Sequence, residues 1–461
     1  MKRVIERRNK MKKYQMDMCS GSIFRKMLLF ALPLMCSSIL QLLFNAADIV
    51  VVGRFAGDNA LAAVGSTSSL INLLTNLFVG LSIGTNVLIA QYFGAKKQQE
   101  LKETVHTSML LSVYSGIILT IIGIVAATKI LEWMQAPEEV LGLAALYLRI
   151  YFVGMTSTMV YNFGSAILRA VGDTKRPLYY LLSAGIVNVV LNLIFVIVFE
   201  MGVAGVAIAT VISQTISAAL VVRCLMKETS GIQLIFSELK IHRDKFIRIV
   251  RIGLPAGFQG MVFSLSNVVI QSAINSFGAI VVAGNSAASN IEGFVYMAMN
   301  AFYQSAISFT SQNYGAKQLK RINKILLAGE LYVVATGLLL GNLAVFFGEY
   351  LLGIYSTTPE VIEAGMVRLK LIGTTYALCG IMDVLVGVLR GIGYSVMPMV
   401  VSLIGACGLR LLWIATIFQI PQFHTPKVIY TSYPITWTIT FSVHFICFLW
   451  ARHKLAKRWE V

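Results

Sequence analysis

Apolar runs long enough to cross a bilayer follow one another along this chain, separated by short polar stretches. Reading each run of about 20 apolar residues as a membrane-crossing helix predicts twelve spans. They lie at roughly 28–52, 64–92, 104–126, 141–168, 178–199, 203–225, 249–275, 281–311, 324–348, 361–391, 396–420 and 429–451. The one long connection, 226–248, mixes Leu234, Ile235, Phe236, Leu239, Ile241 and Phe246 with Lys240, Arg243, Lys245 and Arg248. That amphipathic mixture suits the inner membrane surface.

Composition agrees with the pattern. Of 461 residues, 57% are apolar and 13% charged, with a mean hydropathy of +0.75, which excludes a disordered, collagenous or small disulfide-rich chain. A net charge of +17 would suggest a nucleic-acid partner in a soluble protein, but here the basic residues occupy alternate loops. With both termini in the cytoplasm, 31 Lys and Arg fall inside. The other seven, Arg54, Lys129, Arg149, Arg368, Lys370, Arg410 and Lys427, lie on the outer side or within helices. That asymmetry sets the orientation. The six cysteines form no C-x-x-C, so neither a metal cluster nor a disulfide framework is expected. The first apolar run reads as a retained helix rather than a cleaved leader.

The two halves repeat each other. Gln91-Tyr-Phe-Gly-Ala-Lys96 returns as Gln312-Asn-Tyr-Gly-Ala-Lys317, and Leu168-Arg-Ala-Val-Gly172 as Leu389-Arg-Gly-Ile-Gly393, both 221 residues on. Pro177 returns as Pro398 at the same step, and Leu32-Pro33 as Leu254-Pro255 at 222. Six spans per half mean that both halves enter the membrane from the same side. The expected fold is therefore an all-α integral membrane protein, with twelve transmembrane helices in two six-helix lobes. Pseudo-two-fold symmetry along the membrane normal relates the lobes. The expected divisions are a basic cytoplasmic N-terminus (1–27), an N-lobe (28–225), a cytoplasmic linker (226–248), a C-lobe (249–451) and a cytoplasmic tail (452–461).

Gly-Lys, the core of a phosphate-binding loop, occurs nowhere in the chain, which disfavours an ATP-driven pump. Gly80-Leu-Ser82-Ile-Gly84 matches a hydrolase elbow but sits inside a span, where small residues serve helix packing. Gly53/Gly57, Gly253/Gly257, Gly337/Gly341 and Gly387/Gly391 repeat that spacing and read as close-packed helices.

Carboxylates inside spans are costly unless they meet a cavity, a partner or a cation. The candidates are Asp48, Glu292, Asp383 and, near a helix start, Glu330. Gln41, Asn45 and Asp48 fall on one helical face, and Asn188 and Asn192 form a second polar stripe in the same lobe. The alternatives are an interfacial position for Asp48 and simple helix-to-helix hydrogen bonding for the amides. Glu292 is either a cavity residue or a structural carboxyl. Asp383 and Arg410 could pair across neighbouring helices. Pro33 and Pro255 should kink their spans symmetrically. A substrate cavity is assigned to Gln41, Asn45, Tyr161, Asn162, Gln259 and Met297, with aromatic and Met positions such as Phe263 and Tyr296 around it.

Asp48-Ile-Val-Val-Val-Gly-Arg-Phe-Ala-Gly57 followed by Ala60-Leu-Ala-Ala-Val-Gly65, together with the repeated motifs and Asn188-Val-Val-Leu-Asn192, resembles the multidrug and toxic compound extrusion family of secondary antiporters. The likeness covers nearly the whole chain. It implies a two-lobe exporter that exchanges H⁺ or Na⁺ for organic, often cationic, compounds by alternating access. Asp48 matches the family's first-helix coupling aspartate, with Asn188 and Asn192 beside it. Asn192 stands where many bacterial members carry Asp, and Phe263 where one branch carries Glu, which favours H⁺ over Na⁺. The resemblance also implies no cofactor, a place in the plasma membrane and function as a monomer, with small organic compounds and lipid as partners and no nucleic acid. The alternative within the superfamily is a lipid-linked-sugar flippase, which would call for a strongly basic cavity. A membrane-embedded enzyme finds no support in metal-ligand or nucleophile–base spacing.

Overall fold

In a computed structural model, residues 14–133, 138–229 and 231–460 are described, and they contain helices and no strands. The first thirteen residues of the expected N-terminal segment and Val461 of the expected tail lie outside the described residues. In the first half the helices are α1 (Ile23–Phe55), α2 (Asp58–Gly94), α3 (Gln98–Trp133), α4 (Glu138–Val153), α5 (Met155–Ala170), α6 (Lys175–Leu193) and α7 (Gly202–Lys227). In the second they are α8 (Arg243–Asn275), α9 (Ala279–Gly315), α10 (Leu319–Phe346), α11 (Gly348–Gly353), α12 (Pro359–Thr375), α13 (Ala377–Gly391), α14 (Val396–Ser402), α15 (Leu409–Ala415) and α16 (Pro426–Trp459). Wider-wound π turns follow α6 at Ile194–Val198 and join α14 to α15 at Leu403–Gly408.

Every expected span falls on a helix or on a pair of consecutive helices. Among the described residues, nine helices are long and apolar enough to cross a membrane. Two bent pairs, α4–α5 at 47° and α12–α13 at 46°, add two more. The remaining span is α9, whose 37 residues bury Asn285, Glu292, Ser305, Ser308, Gln312 and Asn313. Its polar character marks an interior helix rather than a lipid-facing one.

α1 runs as one helix through Pro33 and α8 through Pro255. Two other spans are broken, at Gly154 and Tyr376, at matching places in the two halves. At the first, Thr120 on α3 donates to the Phe152 carbonyl at 2.7 Å. At the second, Thr374 and Thr375 donate back to the carbonyls of Lys370 and Leu371 at 2.7 and 2.8 Å. Hydroxyls that take helix carbonyls in this way favour a bend.

The 221-residue step reappears in the backbone. Positive φ values pair as Gly57 (88°) with Gly278 (87°), Lys96 (57°) with Lys317 (55°), and Gly172 (95°) with Gly393 (94°). Gly57 therefore starts α2 in a conformation that suits glycine, and no side-chain contact calls for it. Its expected packing role gives way to a turn.

The chain divides into two compact units. The first holds Met1–Asp17 and Cys36–Gly257, the second Met18–Met35 and Phe258–Val461. In both α1 and α8, membership changes two residues after the proline. Within unit one, a Cβ on Gly80 or Gly84 of α2 would collide with the backbone of Gly253 and Gly257 on the first part of α8. The Gly-x-Ser-x-Gly pattern is thus a contact between two helix backbones.

The connection between α7 and α8 is shorter than the expected linker, because α7 ends at Lys227 and α8 begins at Arg243. Ile232 and Leu234 are buried, while Phe236 and Ile241 stay exposed. The Ile235 N–H donates to His106 Nε2 at 3.1 Å, and the His242 N–H donates to Thr107 Oγ1 at 3.0 Å. Lys102 pairs with Glu238 at 2.5 Å. The segment is fastened to the start of α3.

Candidate functional site

In unit one the structure brings together the three residues assigned to cation coupling. Asn192 Nδ2 donates to Asp48 Oδ1 and, at 3.2 Å, to Asn188 Oδ1. Asn188 Nδ2 reaches Thr210 Oγ1 on α7 at 3.4 Å, and that hydroxyl donates to the Val206 carbonyl at 2.9 Å. All three primary residues are buried. Local packing explains the approach: Gly185 on α6 has no side chain where the Phe44 ring of α1 lies. One helical turn from Phe44 is Asp48, and one and two turns from Gly185 are Asn188 and Asn192.

The cluster holds one ionisable group, Asp48, bonded to an amide. No ion pair among the described residues includes Asp48, and the Asn192 Oδ1 is buried without a hydrogen-bond partner. Two acceptor oxygens, one of them ionisable, therefore face each other's neighbourhood with one amide group between. Such a site gains stability by taking a proton or a small cation. Two residues that the sequence reading missed, Tyr147 and Tyr151 on α4, lie within electrostatic reach of Asp48 and stack on each other at 5.9 Å. The periodicity of α4 carried no polar stripe that would have singled them out.

The other unit-one candidates separate. Gln41 and Asn45 share a helical side with Asp48 but are exposed. Tyr161 is buried and donates to the Pro177 carbonyl at 3.1 Å, tying α5 to α6. Asn162 is half-buried on the same helix.

In unit two Glu292 does not stand alone. Arg368 Nε contacts both its carboxylate oxygens at 3.1 and 3.2 Å, and Nη2 reaches Oε2 at 2.7 Å. Arg368 Nη1 donates to Asn285 Oδ1 at 2.8 Å, and Asn285 donates to Gln271 at 3.0 Å. This is a forked, buried pair. A signal existed: Arg368 lies two turns inside an expected span, where a lone charge needs a partner.

The pairing of Asp383 with Arg410 is not formed. Arg410 instead covers the Tyr433 ring at 3.8 Å and donates to Thr436 Oγ1 at 3.0 Å, while the polar neighbours of Asp383 are Tyr296 and Arg390. The aromatic face on α16 holds the guanidinium away from α13. Gln259 is a buried acceptor for Arg390 Nη2 at 2.8 Å rather than an open cavity wall, and Arg390 also donates to Tyr303. Met297 is half-buried. Glu330 buries both carboxylate oxygens without a hydrogen bond.

Comparison with known proteins gives a consistent result. The sequence model of the MatE family matches residues 33–194 and again 255–415, repeating the 221- to 222-residue step. The probable multidrug resistance protein YoeA of Bacillus subtilis strain 168 is 26% identical over 447 residues, covering 95% of this chain and 96% of the relative. YpnP of the same strain, also named a probable multidrug resistance protein, is 29% identical over 396 residues, covering 86% and 88%. An outward-facing structure of a multidrug resistance MATE family transporter of the MOP superfamily superposes with a TM-score of 0.89 at 22% identity. It covers 95% of this chain and 97% of that one, which shows a shared fold.

Proposed function

The chain belongs to the multidrug and toxic compound extrusion (MatE) family, and from that membership we propose that it is a secondary active exporter. It exchanges H⁺ or Na⁺ for organic compounds by alternating access, in the plasma membrane, with both termini in the cytoplasm and as a monomer. The relatives named for multidrug resistance support export of more than one compound.

The observation that carries the mechanism is the buried Asp48 carboxylate, which has an amide and no basic residue for a partner. An ionised Asp48 is served by Asn192 Nδ2. A protonated Asp48 has an O–H to donate, and the unpartnered Asn192 Oδ1 becomes its acceptor once the amide turns over. Alternatively a Na⁺ gathers both oxygens and the Asn188 carbonyl. Either way the occupied and empty states differ in hydrogen bonding, which is what a coupling ion needs to bias two conformations. H⁺ is favoured, because one carboxylate with neutral amides is a sparse set for Na⁺.

The test is ethidium efflux from a pump-deficient bacterial strain expressing wild type or Asp48→Asn, with proton and sodium gradients collapsed separately. Efflux by wild type alone supports the assignment, and the gradient whose loss stops it names the ion. Equal efflux by Asp48→Asn sinks it.

A further inference from the structure

Unit two buries three arginines, and they differ in the number and kind of partners they meet. Arg368 has the Glu292 carboxylate. Arg390 has two hydrogen-bond partners, the Tyr303 hydroxyl and the Gln259 carbonyl, and a buried Nε with none. Arg410, only 3% exposed, has one hydroxyl, Thr436, and its Nε is buried with no partner. No ion pair among the described residues includes Arg390 or Arg410, and Arg410 has the fewer hydrogen bonds of the two. Tyr433 lies against both the matched cation and the unmatched one, with Arg368 5.7 Å and Arg410 3.8 Å from its ring centre.

From these contacts we propose that Arg410 is the anchor of a binding site for planar aromatic compounds that carry a carboxylate. A guanidinium cut off from water costs several kcal/mol unless an anion meets it. Its face is already occupied by Tyr433, so the free edge at Nε is what a carboxylate oxygen would take, with a terminal nitrogen for the second oxygen. The aromatic part of the ligand is specified by the rings that continue from this point. Trp437 lies 5.8 Å from the guanidinium and stacks on Tyr376 at 5.6 Å and 29°. Tyr376 in turn meets Tyr296 at 6.4 Å and 31°. Trp437 is buried and Tyr376 and Tyr296 are half-buried, so exposure rises along the row away from the cation. A flat π system lies along such a row, and its charge sign is set by Arg410. Asp383, the remaining carboxylate in this region, faces Tyr296 and Arg390 and leaves Arg410 unopposed.

This site deepens the exporter reading and rests on it for its physiological meaning, but binding is measured apart from transport. The probes are two xanthene dyes of nearly the same shape: fluorescein, with a free carboxylate, and rhodamine 6G, an esterified cation. Fluorescence anisotropy is followed in mildly alkaline buffer on detergent-purified wild type, Arg410→Gln and Arg410→Lys. Wild type is expected to bind fluorescein, and Arg410→Gln to weaken it on the order of tenfold or more while rhodamine 6G binding stays unchanged. Absence of fluorescein binding by wild type, or equal binding by Arg410→Gln, overturns the site. If Arg410→Gln loses both dyes through misfolding, Arg410→Lys decides, since it keeps the charge without the fork. Weaker fluorescein with retained rhodamine 6G then supports the site, and no change in either overturns it. Wild-type vesicles that bind fluorescein but export neither dye would remove the exporter reading and leave the site standing.

Discussion

Asn192 divides one amide between two acceptors, the Asp48 carboxylate and Asn188 Oδ1 at 3.2 Å, and leaves its own oxygen buried and unbonded. A side chain with two donors engaged and its acceptor idle is arranged for an ionised Asp48 and has capacity left for what Asp48 takes up. Replacing Asn192 with Leu keeps the volume and removes both bonds. Ion-driven export is expected to fall on the order of tenfold, since a buried hydrogen bond to a charged group is worth about 1.5–3 kcal/mol. Thr210→Val, one bond further out, should cost less. Efflux rates in inverted vesicles under an imposed gradient check both, and an unimpaired Asn192→Leu would remove the amide from the mechanism.

The Glu292–Arg368 pair should behave as a structural unit. Glu292→Gln or Arg368→Met alone leaves an unmatched buried charge or lone partner and is expected to cost about 3–5 kcal/mol, whereas the double replacement recovers most of that. Thermal unfolding followed by size-exclusion chromatography in detergent reads the cycle. Additive losses would mean that the two side chains are independent.

Glycines of one spacing should fail in different ways. Gly84→Val drives a side chain into the Gly253 backbone and is expected to abolish folded protein, because neither backbone can yield. Gly57→Ala meets open space and only an unfavourable φ of 88°, so it should cost about 1 kcal/mol and leave export intact. The yield of monodisperse protein separates the two outcomes.

His106→Ala removes the acceptor for the Ile235 N–H and should loosen the fastening of residues 228–242 to α3. Losing a half-buried hydrogen bond costs about 0.5–1.5 kcal/mol, enough to speed proteolysis there severalfold. Cleavage in inverted but not right-side-out vesicles would also establish the cytoplasmic side of this connection. Unchanged cleavage would show that Glu238 with Lys102 and the buried Ile232 hold it unaided.

The twelve spans were legible because hydropathy over about 20 residues is a one-dimensional property of the chain. The Asp48–Asn192 contact was legible for a similar reason: a carboxylate and an i, i+4 amide pair inside apolar runs must each find polar company. What stayed hidden depends on distances between helices. Nothing along the chain says that Arg410 prefers the Tyr433 face to Asp383, or that Arg368 is close enough to Glu292 to fork. The bends at Gly154 and Tyr376 were hidden because the threonines that hydrogen-bond helix carbonyls there, one of them from a neighbouring helix, leave no pattern in the sequence. Gly57 shows the converse: its spacing suggested packing and its dihedral makes it a turn.

The stretch Met18–Met35 is translated early and belongs to the unit whose other members come after residue 257. Its carbonyls at Met18, Ser20 and Gly21 take hydrogen bonds from Arg321, that at Phe24 from Tyr332, and the Met18 N–H donates to Gln312. None of those partners exists until about two thirds of the polypeptide has left the ribosome. The start of the first helix must therefore wait for these hydrogen bonds through the synthesis of the seven spans that follow it. Assembly of this protein cannot proceed in the order of its synthesis, and residues 18–35 are fixed by partners made only after residue 310.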